Sequence, residues 1–381
     1  MIRRPSLPLA QLIDLLLPVA AVALALLVGA GFLLGLGVSP LMAYGAMVKG
    51  ALGNTSGITQ TLTKATPLLL VGLGICIAFR GGVINIGGEG QIIVGALAAT
   101  AFALAFPTWP RWLLLPATLL IGALTGMFWG GIAGWLKARM GVNEILSTVM
   151  LNQIALQIMN FLLRGPMLDP EQIAAGTNIP QSAALPQTVW LARLVPRTLF
   201  HSGAILALVL AGVVYVLLWR TTIGYRIRAV GLNPSASRYA GIPVPRYAVL
   251  ALALSGALSG LAGAVEVTGV HHRMMEGISG GYGFSGIVAA LFGKLHPLGT
   301  VPASVLFGAL LVGADKMQRA VQVPSSLIVS LQGLVVLFVV ASELYVRRRT
   351  RRRVGGGTPE PTPEAPPRSA ASPSVTVLPQ E

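Results

Sequence analysis

Charge is what this sequence has least of. Only 10% of its 381 residues are Asp, Glu, Lys or Arg, while 54% are hydrophobic, well below the roughly 25% charged content of an ordinary soluble domain. A water-soluble fold of this size needs a polar coat that so few charges do not supply, whereas helices facing lipid need almost none. The single cysteine, Cys76, lies in the apolar run 73–79; this excludes a disulfide framework and a thiolate metal site and leaves packing as its role. Four histidines, His201, His271, His272 and His296, do not fall at zinc-ligand spacing. The adjacent pair falls in an expected external loop, where solvated side chains are the reading. No Gly-x-x-x-x-Gly-Lys-Ser/Thr phosphate loop is present, because the glycine-rich stretch 81–90 lacks the lysine that reaches a nucleotide phosphate. The chain is therefore not expected to hydrolyse ATP, and no arrangement of Ser, His and Asp suggests a catalytic nucleophile.

Acidic residues are scarce too. Glu89, Glu144, Glu266, Asp315 and Glu343 are the few within or beside the later apolar stretches. A carrier or channel coupled to protons or sodium usually draws its relay from such residues, so the short list weighs against that class without removing it. The net charge of +15 comes from basic residues set between apolar stretches and in one terminal cluster, not from a folded basic face, so nucleic acid is not an expected partner.

Long apolar runs are what the chain has in abundance. Residues 13–34 are apolar apart from Asp14 and follow Arg3 and Arg4; the run is too long for a secretory h-region and reads as a retained first span. Further stretches fall at 65–79, 91–106, 112–136, 144–163, 201–219, 247–270, 284–292, 299–318 and 325–346. The fold class is thus all-α, a polytopic transmembrane helical bundle of about ten spans. Starting in the cytoplasm and alternating places Arg80, Lys137, Arg139, Arg220 to Arg246, Lys294 and the run Arg347 to Arg353 inside, which the positive-inside rule supports. Both termini are then cytoplasmic. Residues 1–12 form the N-terminus, 13–346 the membrane domain with a cytoplasmic loop at 220–246, and 347–381 a basic, Pro-rich tail expected to be disordered.

Two segments are short and broken. The run 65–79 leads into Gly81-Gly82-Val83-Ile84-Asn85-Ile86-Gly87-Gly88-Glu89-Gly90-Gln91, and 284–292 follows Gly277-Ile278-Ser279-Gly280-Gly281-Tyr282-Gly283. Non-helical backbone at membrane depth is tolerated only where protein or a water-filled cavity satisfies it, so paired glycine-rich breaks point toward a solute path. A weak likeness between the two breaks hints at an internal repeat. Close helix packing through small residues is the plainer explanation of pairs such as Gly256 and Gly260, but it accounts poorly for Asn85, Glu89 and Gln91 among glycines. Those side chains either hydrogen-bond a hydroxyl-rich ligand or satisfy the broken helix's own backbone. With Tyr282 and Phe284 they make the candidate lining, which suits a neutral polar solute better than a phosphorylated one.

The stretch Arg220 to Arg246 carries a second signal. Asn233-Pro234 is a helix start and Gly241 a stop, which predicts a short helix of about two turns. On the cytoplasmic side it can dock into a groove on a soluble partner and pass on that partner's movement. A basic loop held by anionic lipid would explain the arginines but not the capped helix.

At these residues the sequence resembles the permease subunits of nucleoside and simple-sugar ABC importers. Phe79 to Gln91 is similar to their signature block, with Asn-Ile-Gly, a small residue and Glu-Gly-Gln at its centre. Gly141-Val142-Asn143-Glu144-Ile145 with Met150-Leu151-Asn152 resembles a second block, and that resemblance adds Asn143, Glu144 and Asn152 to the candidate lining. Thr222-x-Gly224 through Arg228, Gly231, Asn233, Ala236 and Gly241 is similar to the cytoplasmic coupling region, and Gly283 to Gly293 with Pro297 and Gly299 completes the set. Permeases for ribose-like sugars and branched-chain amino acids are more distant relatives, and the signature block tilts the likeness toward nucleosides. The resemblance implies a multi-pass inner-membrane subunit with a second permease subunit, identical or not, and an extracytoplasmic binding protein. It also implies separate ATP-binding subunits that hold the ATP, with no cofactor in this chain.

Overall fold

In lipid every backbone N–H and C=O must be paired within the protein, and the described part of this chain meets that demand with helices. The computed structural model describes residues 9–322, apart from 175 and 178, and the isolated positions 330, 333, 334, 337, 338 and 341. The chain divides into two units, Met1–Glu343 and Leu344–Glu381, and every described residue belongs to the first. The expected last span at 325–346 therefore lies almost wholly outside the described residues, and the tail 347–381 entirely so.

The helices are α1 (Leu9–Gly35), α2 (Pro40–Leu52), α3 (Thr55–Arg80), α4 (Gly88–Ala105), α5 (Arg111–Met140), α6 (Glu144–Leu163), α7 (Pro170–Ala174), α8 (Gly203–Arg220), α9 (Thr222–Leu232), α10 (Pro234–Tyr239), α11 (Val244–Glu266), α12 (Tyr282–Phe292) and α13 (Pro297–Val321). Among the described residues there is no strand beyond two isolated bridges. Among the described residues, seven helices, α3, α4, α5, α6, α8, α11 with its π-helical extension Val267–His271, and α13, are long and apolar enough to cross a membrane. Two shorter apolar helices, Ala23–Gly35 and α12, accompany them.

Helix α3 corrects the reading of 65–79 as a short segment: it is a full-length helix beginning at Thr55. Its first half hides behind threonines, whose hydroxyls bond back to their own helix, Thr59 to the Thr55 carbonyl at 2.8 Å, Thr63 to Thr59 at 2.7 Å and Thr66 to Leu62 at 2.9 Å. Each hydroxyl is thereby satisfied and the turn can be buried. Helix α2 was not anticipated at all.

Helix α11 lies at the centre, packed on α3, α4 and α5. Small residues let the backbones close: a Cβ placed on Gly260 would lie 2.4 Å from the Gly122 carbonyl oxygen, and one on Gly256 would lie 2.2 Å from that of Gly126. The outer faces of α5, α6 and α8 carry exposed Leu120, Phe128, Leu146, Phe161, Ile205 and Val209, the apolar surface that lipid covers.

The segment between α6 and α8 folds over the end of α11. Ser182 donates its backbone N–H to the Met274 carbonyl at 2.9 Å, Leu185 to His272 at 2.8 Å and Leu191 to Thr268 at 3.0 Å. His272 is accordingly not a solvated loop residue. His201 is buried, and the His272 ring stacks on Trp190 with 3.9 Å between centroids.

Candidate functional site

The break after α3 begins where glycine permits it. Val83 donates to the Ala78 carbonyl at 3.1 Å and Gly81 to Ile77 at 3.0 Å, closing the helix end while Gly82 takes φ +72°. The chain then runs without helix to Gly88.

Amide side chains replace the missing ladder. Asn85 is wholly buried; its Nδ2 donates to Ser255 Oγ at 2.8 Å and to Gln91 Oε1 at 3.0 Å, and its Oδ1 accepts from the Gly87 N–H at 2.9 Å and from Gln91 Nε2 at 3.2 Å. Asn152 of α6 spans the far side, donating to the Ile86 carbonyl at 2.9 Å and accepting from the Gly90 N–H at 2.8 Å. Thr148 accepts from the Ile86 N–H at 3.4 Å. Asn85, Gln91 and Asn152 thus come together as a brace that gives backbone groups of the break partners inside the protein, as membrane depth requires.

Glu89 faces the other break. Its Oε1 accepts from the backbone N–H groups of Gly283 at 2.8 Å and Phe284 at 3.4 Å, and Ser279 adds a side-chain hydrogen bond. A carboxylate here meets the partial positive charge of the α12 N-terminus. The two backbones touch: a Cβ on Gly283 would lie 2.3 Å from the Glu89 nitrogen, and one on Gly88 would lie 3.0 Å from the Gly283 Cα. The two glycine-rich segments, far apart in sequence, therefore meet at the starts of α4 and α12. Tyr282 is half-buried and Phe284 exposed at this junction.

Asn143 and Glu144 sit at the α5–α6 turn instead. Asn143 caps α6 by accepting from the Ile145 N–H at 2.9 Å, and Glu144 pairs with Lys137 while approaching the Ile84 N–H at 3.5 Å.

The stretch 220–246 holds two helices where one was expected. Asn233 caps α10 by accepting from the Ala236 N–H at 3.0 Å, and Gly241 ends it with φ +77°. The unexpected α9 is capped by Thr221, which accepts from the Gly224 N–H at 3.1 Å. Gly224 lets α9 turn tightly against α8, since a Cβ there would lie 1.9 Å from the Leu217 carbonyl. Gly231 rests on the start of the break, where its Cβ would lie 2.0 Å from the Arg80 carbonyl oxygen and 2.7 Å from the Gly82 nitrogen. Arg80 and Arg228 both lie over the Trp219 ring, at 5.5 and 5.4 Å from its centroid. Arg80 also donates to the Leu295 carbonyl at 3.1 Å and the Lys294 carbonyl at 3.3 Å, tying the end of α3 to the end of α12. Leu232 and Tyr239 project outward, 86% and 94% exposed, more apolar area than a solvated loop needs.

Ser255, Thr148, Ser279 and Trp219 belong to these constellations and were not singled out in the sequence. Each is an ordinary residue in its own helix or loop, and only the packing gives it a partner.

Residues 57–340 match the family described as branched-chain amino acid transport system, permease component. The chain is 36% identical over 343 residues to the glucose ABC transporter permease protein of Haloferax volcanii, covering 87% of this chain and 88% of that protein. It is 36% identical over 333 residues to the guanosine ABC transporter permease protein of Bacillus subtilis, covering 87% and 94%. With the nucleoside ABC transporter permease protein of Lactococcus lactis it shares 33% identity over 328 residues, covering 85% and 90%.

Proposed function

This chain belongs to the family of branched-chain amino acid transport system permease components and is a permease subunit of an ABC importer; from that premise we propose that it passes nucleosides, ahead of simple sugars, into the cytoplasm. The names of its relatives, guanosine, nucleoside and glucose permeases, support that cargo class. So does a junction at Glu89, Tyr282 and Phe284 that offers a carboxylate and two aromatic rings.

The observation that carries the mechanism is the seat of Gly231 on Arg80 and Gly82. It joins the α9–α10 pair directly to the break, and the break in turn touches α12 through Glu89. ATP-binding subunits docked on α10 would move α9, α9 would push the end of α3, and the junction between the two breaks would open alternately to each side. Gly224, Arg228, Gly231, Asn233, Ala236 and Gly241 act as the coupling residues in this scheme. Asn85, Gln91, Asn152, Asn143 and Glu144 hold the path in shape, while Glu89, Tyr282 and Phe284 face the solute.

The basic residues at Arg80, Lys137, Arg139, Arg220 to Arg246 and Lys294 support an N-in, C-in orientation with about ten spans in the inner membrane. ATP is bound by separate subunits, a second permease subunit completes the channel, and a binding protein delivers the solute from outside.

Uptake of radiolabelled guanosine into vesicles holding the whole transporter, in competition with unlabelled nucleosides, ribose and glucose, tests the cargo. Nucleosides should compete best; competition by glucose alone would reassign the chain to sugar transport.

A further inference from the structure

A cavity of about 450 Å3, mostly apolar in its wall but with several polar side chains, opens beside the junction. It falls within the roughly 300–1,000 Å3 typical of small-molecule sites. Gln60 and Lys64 of α3, Glu266 at the end of α11, His271, Tyr282 of α12 and Asp315 of α13 contribute to its wall. Tyr282 is shared with the junction at Glu89, so the cavity adjoins that junction. In the proposed orientation it lies toward the extracytoplasmic side, because α3 starts there and α11 and α13 end there.

Charges in the wall are arranged in a definite way. Lys64 and Asp315 neutralise each other at 2.8 Å. Glu266 has only His271 beside it as an ion-pair partner among the described residues. It is 2% exposed, its Oε2 stands 3.5 Å from His271 Nε2, and its Oε1 accepts no hydrogen bond among the described residues. A buried carboxyl oxygen without a donor is costly, and Glu266 contributes to the wall of a cavity large enough to hold a ligand. The helix changes from α to π immediately after Glu266, a local distortion found mostly at functional sites. Lys316 and Arg319, which also border the cavity, present donors to ring nitrogens or hydroxyl oxygens. The wall therefore offers an acceptor for N–H groups and donors for lone pairs, the combination carried by a nucleobase.

We propose that this cavity is the first binding station for the transported solute, and that Glu266 is the specificity-determining residue, accepting hydrogen bonds from N–H donors on the base of a neutral nucleoside. The inference rests on the importer reading above and deepens it. A site built to pair with a donor discriminates strongly against an analogue that lacks it.

The test uses the complete transporter in vesicles, with binding protein outside and ATP inside, and compares uptake of guanosine with that of purine riboside, whose base has no N–H donor. Wild type should prefer guanosine, and Glu266→Ala should cut that preference by roughly tenfold, the equivalent of about 1.4 kcal/mol, while Glu266→Gln, which keeps an acceptor oxygen, should retain part of it. A ratio of two solutes is independent of how much transporter is incorporated. Gln60→Cys gives a second readout that does not depend on substitution at Glu266. The native Cys76 is buried, so an impermeant thiol reagent added outside should modify position 60, and guanosine should slow it. Wild-type vesicles that accumulate no nucleoside would refute the cargo reading and this inference with it. Accumulation whose guanosine preference survives Glu266→Ala, or labelling at position 60 that guanosine leaves unchanged, would refute this inference alone.

Discussion

The Glu89 carboxylate accepts a hydrogen bond from the Gly283 backbone N–H at 2.8 Å across 194 residues of sequence. One side chain thereby caps the second broken helix from the start of the first. Any motion that separates the starts of α4 and α12 must break this bond, which makes it a natural point of control for the path.

Glu89→Ala removes the cap and leaves the Gly283 and Phe284 N–H groups at the α12 terminus without their acceptor. Loss of a helix cap costs about 1 kcal/mol, so the purified protein should melt a few degrees lower. Glu89→Gln keeps an acceptor oxygen and should retain most of that stability while solute uptake changes. Thermal unfolding in detergent together with uptake rates separates the two effects.

Asn85→Ala should act on stability more than on affinity. It deprives Ser255, Gln91 and the Gly87 N–H of their partner inside the protein, and an unsatisfied buried polar group costs about 1–3 kcal/mol. A large drop in melting temperature with an unchanged KM in the surviving transporter is expected. A raised KM at normal stability would move Asn85 from the brace to the solute.

Gly231→Ala places a methyl group 2.0 Å from the Arg80 carbonyl oxygen, so α9 must lift from the break. Overpacking of this kind costs about 1–3 kcal/mol. Solute accumulated per ATP hydrolysed should fall, because the nucleotide-driven movement no longer reaches α3. Simultaneous measurement of phosphate release and uptake gives the ratio.

His201 supplies a pH signature outside the spans. Its Nδ1 accepts from the Gly203 N–H at 3.2 Å, and burial, with His272 nearby, lowers its pKa from 6.5 to about 4. The folded state favours the neutral ring, so its contribution to stability is present above pH 6.5 and is lost as pH falls through about 4. His201→Asn retains an acceptor for Gly203 and should flatten the decline in melting temperature over that window.

Much of this was legible in the sequence because it depends on residue types with local rules. Asn233-Pro234 and Gly241 declare a helix start and stop, and that helix is α10. The glycines around Asn85 and Tyr282 declare breaks, and both breaks exist. Helix α3 was cut short because threonine is polar in composition yet satisfies itself inside a helix. Helix α9 was missed because Arg226 and Arg228 mask its pattern, although Thr221 was a readable cap. The partners of Asn85 and Glu89 were not legible at all, since Ser255 and Gly283 arrive from remote helices. The setting of His272 was misread for the same reason: Trp190 stacks on it only in the folded chain.

The central claim is that ATP-driven movement at α9 and α10 carries a nucleoside through the junction at Glu89. The most direct test is guanosine uptake into vesicles holding the whole transporter, with binding protein outside, with and without ATP inside. The account predicts accumulation that requires ATP and is lost in Gly231→Ala. Uptake that proceeds without ATP and follows a proton or sodium gradient would contradict it.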